Sequence, residues 1–170
     1  MLALAMMLSV AMTQTTEPPV GAKVPRFSIR IMATDNKWSA THQCKVLAIV
    51  SSSAAISVDA LPTLLLRRRG VVDPIEKMRE EYWASFDFNS GAPLRVNDRS
   101  RVVLKEGSDS SSEISACDLR WARAIHSSWP AYNLRDTVPV GEYDLVFEMQ
   151  ITDRTVKQRL RSEGIPISIR

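Results

Sequence analysis

Apolar and polar positions alternate most clearly near the C-terminus of the chain. Between Gly141 and Ile151, Tyr143, Leu145, Phe147 and Met149 fall on one side of a two-residue repeat. Glu142, Asp144, Glu148 and Gln150 fall on the other, with Val146 the exception. This is the pattern of a half-buried antiparallel strand. Pro139 and Gly141 supply the turn that launches it. Ile165, Ile167 and Ile169 repeat the pattern at the end of the chain.

The same reading gives strands elsewhere. Phe27, Ile29 and Ile31 alternate with Ser28, Arg30 and Met32, which predicts a first strand over Phe27 to Ala33. Gln43 to Val50 is close to continuously apolar and predicts a central strand covered on both faces. Short strands are expected at Ala55 to Val58 and Pro62 to Arg67, around a turn at Asp59 to Leu61. Others are expected at Ser85 to Phe88, Leu94 to Leu104 and Ile114 to Trp121. The last would carry Ser115, Cys117, Leu119 and Trp121 on one side. One helix is expected from Pro74 to about Ala84. Asp73 suits its N-cap, Pro74 its first position and Glu76 its third, while Ile75, Met78 and Tyr82 share a face. The sum is an all-β antiparallel sandwich with one short inserted helix.

A chain of 170 residues has enough length for one proper core. The net charge of +3 is spread over interspersed acids and bases. Nucleic-acid binders concentrate basic charge on one face, so no nucleic-acid partner is expected. The basic run Arg67-Arg68-Arg69 reads as a solvated strand end, with a patch for phosphate or an acidic partner as the sharper alternative. Met1 to Met12 is an uncharged apolar run of the length of a signal-peptide core, and Ser9-Val10-Ala11 offers a cleavage site after Ala11. It lacks the basic residues that usually precede such a core. A stable membrane span needs roughly 20 apolar residues, and this run is shorter. The expected organisation is a signal-like segment and linker over 1–25 and one domain over 26–170, placed in the periplasm or secreted.

Gly141-Glu142-Tyr143 resembles the tyrosine corner of immunoglobulin-like sandwiches, where a Tyr near the start of a late strand bonds back to the preceding loop. The first two strands, Leu104 to Leu119, Val138 to Glu148 and the terminal Arg161 to Ile169 resemble parts of the Ig-like domains of exported bacterial proteins. Lys-x-Gly, a strand, then Pro-x-Gly-x-Tyr is also similar to the BsuPI-type proteinase inhibitor family. The resemblance implies an Ig-like fold over residues 26 to 170, and inhibition as one role. It departs from antibody-type domains in two places. No Trp follows Cys44 at the usual distance, and Leu145 stands where the second Cys belongs.

In an Ig-like topology the strands of Cys44 and Cys117 are sheet neighbours, so a disulfide is a candidate. Two buried free thiols, or a thiol nucleophile, are the alternatives. His42 lies two residues before Cys44 and His126 nine after Cys117, but no hydrolase signature surrounds either pair. Two His with scattered Asp make a poor zinc set, and no motif implies a cofactor. Asp35-Asn36 and Asn97-Asp98 read as turns rather than calcium loops. The aromatic run Tyr82 to Phe88 reads as core, Trp83 and Phe86 especially. Trp129, beside Pro130 in the irregular stretch Arg123 to Asp136, is the candidate partner-facing residue. The expected role is a non-enzymatic binding or structural module with a protein or glycan partner. A proteinase inhibitor and a small cysteine-dependent hydrolase are the alternatives.

Overall fold

A computed structural model describes residues 24–39, 44–72, 79–95, 98–123, 132–133, 138–153 and 156–170. The described residues form strands and no helix. In chain order these are β1 (Phe27–Ala33), β2 (Lys37–Trp38), β3 (Lys45–Ser52), β4 (Ile56–Val72), β5 (Arg79–Ser85) and β6 (Ser100–Leu104). They continue with β7 (Asp109–Ser115), β8 (Arg120–Arg123), β9 (Tyr132–Asn133), β10 (Gly141–Thr152), β11 (Lys157–Arg161) and β12 (Ile165–Ile169).

Two sheets pack face to face. The small sheet has the order β1-β3-β7, all antiparallel. The large sheet runs β2-β12-β10-β4-β5-β8-β9, with β11 also on β10 and β6 also on β4. Its two long strands each serve two partners along one edge. β10 pairs β12 through Gly141 to Leu145 and β11 through Glu148 to Thr152. β4 pairs β6 through Ile56 to Ala60, then β5 from Thr63 onward. Its other edge meets β10.

The core follows the alternation that the sequence carries. Tyr143, Leu145, Phe147 and Met149 of β10 are all fully buried, facing Leu64 and Leu66 on β4 and Ile167 on β12. Val46, Ala48 and Val50 of β3 close the core from the small sheet. Burying one such side chain stabilises the fold by roughly 1.5–3 kcal/mol. β3 is the central strand of its sheet, as its continuous apolar run implies.

Four expectations are corrected. Residues 79–85 are strand, not the end of a helix. Tyr82, Ala84, Phe86 and Phe88 are buried at a spacing of two, and β4 offers Thr63 to Arg67 as a ladder. That tertiary pairing decides the conformation of 79–85, while the residues of the expected helix start, Asp73 to Met78, lie outside the described residues. The two short strands around Asp59 are one 17-residue strand, since Asp59, Ala60 and Leu61 stay paired to neighbours and no turn forms. The strand expected from Leu94 is confined to Ser100–Leu104. Ile114 to Trp121 breaks into the end of β7, a turn at Ala116 to Asp118, and β8.

Candidate functional site

The expected site residues separate cleanly. Cys44 directly precedes β3 and Cys117 sits in the turn after β7. Because β3 and β7 are antiparallel neighbours, Ala116 N–H donates to the Cys44 carbonyl at 2.8 Å, which brings the two cysteines together. Their Cα atoms lie 5.5 Å apart and the sulfurs are bridged across a sequence separation of 73. The indole of Trp121 donates to the Ala116 carbonyl at 2.9 Å and pins the same turn from inside the core. His42, His126 and Trp129 lie outside the described residues.

The basic run is not a solvated strand end. It lies inside β4, and each guanidinium has an acid: Arg67 meets Glu81, Arg68 meets Glu80 at 2.9 Å, and Arg69 meets Asp144. Asp35 forms a turn, its carboxylate accepting from Lys37 N–H and its carbonyl from the Trp38 indole. No group of three metal-ligating side chains occurs among the described residues. Trp38, Trp121 and Phe86 are core. Trp83 is not: it points to the outer face of the large sheet, half-buried between Leu65 and Ala122.

At one end of the sandwich lies a charged cluster that sequence reading does not anticipate. Glu80 accepts from the Tyr82 hydroxyl at 2.5 Å and from Arg68, and Arg123 stands 3.5 Å away. Burial pushes the Glu80 carboxyl up, but the bonds from Tyr82 and Arg68 and the charge of Arg123 outweigh it and hold the group below the ordinary carboxylate range. Burial first, and then the bond to Glu80, push the Tyr82 phenol up. Burial raises the Tyr143 phenol to about 12. The Tyr82 and Tyr143 rings meet edge to face at 6.3 Å. Glu80, Arg68, Arg123 and Tyr82 are each engaged with another group of this cluster, which is the character of a structural end-plate.

The open feature lies on the other side. A groove of about 1330 Å³ is walled by Val24 to Phe27 on the small-sheet side and by Val156 to Gln158 on the large-sheet side. Ser53, Ala54 and Glu106 form its floor at the strand ends. Phe27 and Ile29 point toward the core yet stay half-exposed, as does Ile165 on β12. Among the described residues the sandwich is therefore incompletely closed where the start of β1 passes β11. Arg26 and Lys157 stand exposed at the rim, opposite one acid, Glu106. The sequence signal for this feature was the alternation of β1, which showed a strand but not that one of its edges is bare.

No family model matches the chain, and no curated protein matches it. Among solved structures the chain is similar in part to Spo0M, a sporulation control protein from Bacillus subtilis, at 9% identity and a TM-score of 0.41. The match covers 84% of this chain and 49% of that one, so the chain spans about half the length of that protein. At that score the likeness carries no argument about fold or role.

Proposed function

We propose that the chain is an exported, non-enzymatic binding module on an Ig-like sandwich. The observation that carries this reading is the groove between the start of β1 and β11, lined by the part-buried Phe27 and the exposed Val24. Apolar concavities with a few polar groups at the rim are where proteins take partners. Export is supported by the Cys44–Cys117 bridge, since disulfides persist in oxidising compartments. The same pairing supports the non-enzymatic reading over the hydrolase alternative, which requires a free thiolate. The inhibitor alternative rests on the family resemblance and needs an exposed loop; the candidate stretch, Arg123 to Asp136, lies mostly outside the described residues, and the alternative gains no observation of its own.

Two measurements test the reading. The protein is recovered from its host and alkylated under denaturing conditions without reductant, and its intact mass is taken. Export and the bridge require a mass without the residues up to Ala11 and with no alkyl group. Two alkyl groups on a full-length chain would defeat the export reading. Separately, a photo-crosslinking residue is placed at Val24, Gln158 or, as a control on the far face, the exposed Val103. Discrete adducts from the first two positions and not the third are expected. Adducts from none, or equally from Val103, would sink the binding reading.

A further inference from the structure

We infer that the groove binds an extended segment of another chain, which adds as a strand to the free edge of β1 and carries alternating apolar and acidic residues. The inference rests on the binding reading above and specifies its partner.

The backbone of β1 sets the geometry. Phe27 lies opposite Ser52 and Ala33 opposite Val46. At the two ends of the ladder Ser53 N–H donates to the Arg26 carbonyl, and Thr34 N–H donates to the Lys45 carbonyl. In an antiparallel pair the bonded positions alternate. The even-numbered residues therefore turn their N–H and C=O toward β3. Phe27, Ile29 and Ile31 turn theirs outward, to the edge that pairs with no strand among the described residues.

The other edges are guarded, as proteins generally guard them. β2 and β9 are two residues long. β11 presents Lys157, Arg159 and Arg161, two of them held on Glu148. At the β7 edge Gly91 lies against the Glu113 carbonyl, and at the β6 edge the Asn89 side-chain amide donates to the Arg101 carbonyl. β1 has seven residues, no proline and no bulge. Its polar side chains lean away from the edge: Arg30 reaches across β3 to Asp109, and Ser28 bonds Ser51. β7 is equally long but carries Gly91 against it, so among the described residues β1 is the seven-residue edge with no backbone hydrogen bond on its outer side.

The side chains set the partner. A strand added to β1 turns alternate residues toward the half-exposed Phe27 and Ile29, so those residues must be apolar. The residues between them face the rim, where Arg26 and Lys157 have no acidic partner among the described residues and outnumber Glu106. Acidic side chains complement that rim.

The test uses the full chain and capped heptapeptides. One alternates valine with glutamate, a second replaces glutamate with lysine, and a third is the glutamate peptide with alternate amides N-methylated. Binding is followed by calorimetry, and backbone protection by hydrogen exchange. The glutamate peptide is expected to bind at least tenfold more tightly than the lysine peptide. The N-methylated peptide should lose binding. The amides of Phe27, Ile29 and Ile31 should gain protection, while those of Ser28 and Arg30 should change little. The surface variant R26E/K157E should reverse the charge preference with unchanged thermal unfolding. Equal binding of the N-methylated peptide would overturn strand addition while leaving the groove as a binding site. Protection of Ile29 and Ile31 that rises with protein concentration and without peptide would overturn it in favour of a second copy. Loss of the Val24 and Gln158 crosslinks in the host would instead remove the binding reading itself.

Discussion

The hydroxyl of Tyr143 donates to the carbonyl of Pro139 at 2.8 Å, tying the start of β10 to the loop that feeds it. The ring is fully buried, so the bond is made at the boundary of the core rather than in water. Tyr143→Phe keeps the packing and leaves the Pro139 carbonyl without this donor. The expected cost is about 1–2 kcal/mol, seen as a lowered denaturant midpoint with an unchanged slope. An unchanged midpoint would mean that water replaces the hydroxyl fully.

Glu80 gives the fold a definite response to acid. Its carboxyl is held below the ordinary range, and Asp87 likewise: burial pushes Asp87 up, but bonds from Ser90, Ser100 and Asn89 outweigh it. A group whose folded pKa is depressed stabilises the protein above its unfolded pKa, and that stabilisation is lost as pH falls through the folded value. Stability should therefore be steady near neutrality and fall below the normal carboxylate range. Glu80→Gln should flatten that fall while costing about 2 kcal/mol at pH 7, because Arg68 and Arg123 lose their counter-ion. Thermal unfolding of both proteins across an acid series checks it. An equally steep acid fall in the variant would show that Glu80 is not the group titrating.

The bridge closes a sequence separation of 73 that contains β3, β4, β5, β6 and β7. Holding such a loop shut in the unfolded chain contributes on the order of 4 kcal/mol. For a chain of this size that corresponds to roughly 8–16 °C in melting temperature. The double variant Cys44→Ser with Cys117→Ser should melt lower by that amount while remaining folded at room temperature. Trp121 reports on the same turn through its bond to Ala116, so its fluorescence should change with reduction before global unfolding. Loss of the bridge without loss of stability would show that the unfolded chain is already compact over this span.

Where a strand has one wet face, the side it buries was readable from sequence: β1 and β10 bury the apolar positions of their alternation, although Val146 and Glu148 on the outer side of β10 are buried too. The sequence pattern divides β4 into two strands because Asp59 looks like the start of a turn and Pro62 like the start of a new strand. In the sheet Asp59 faces outward and meets Arg101 at 2.9 Å, while Pro62 is a buried residue whose carbonyl takes the Phe86 N–H. The glutamates of β5 fit a polar helix face equally well. Their partners, Arg67 and Arg68, are 12 to 14 residues away in sequence. The groove was not readable at all. Whether an edge is bare depends on which strands fail to arrive beside it, and no local pattern records that.

Gly91 offers the sharpest test of the packing between the loop after β5 and the edge of β7. Its φ is +70°, a conformation in which a side chain is strained. A Cβ there would also run into the backbone carbonyl of Glu113, which cannot swing aside because β7 is held in register against β3. The loop has little freedom to retreat, since Asp87 accepts from Asn89 N–H and Ser90 N–H and from the Ser90 hydroxyl. Gly91→Ala should therefore cost about 2–4 kcal/mol, the sum of the backbone term and the overlap. Gly70 has φ +69° with open space around it, so Gly70→Ala carries the backbone term alone, about 1–2 kcal/mol. The difference between the two melting temperatures isolates the contact with Glu113. If both variants lose the same stability, the loop moves aside and the β7 edge is less well covered than its geometry indicates. Strand addition would then have a second edge to compete for, and hydrogen exchange at Glu113 in the Gly91→Ala protein would reveal it.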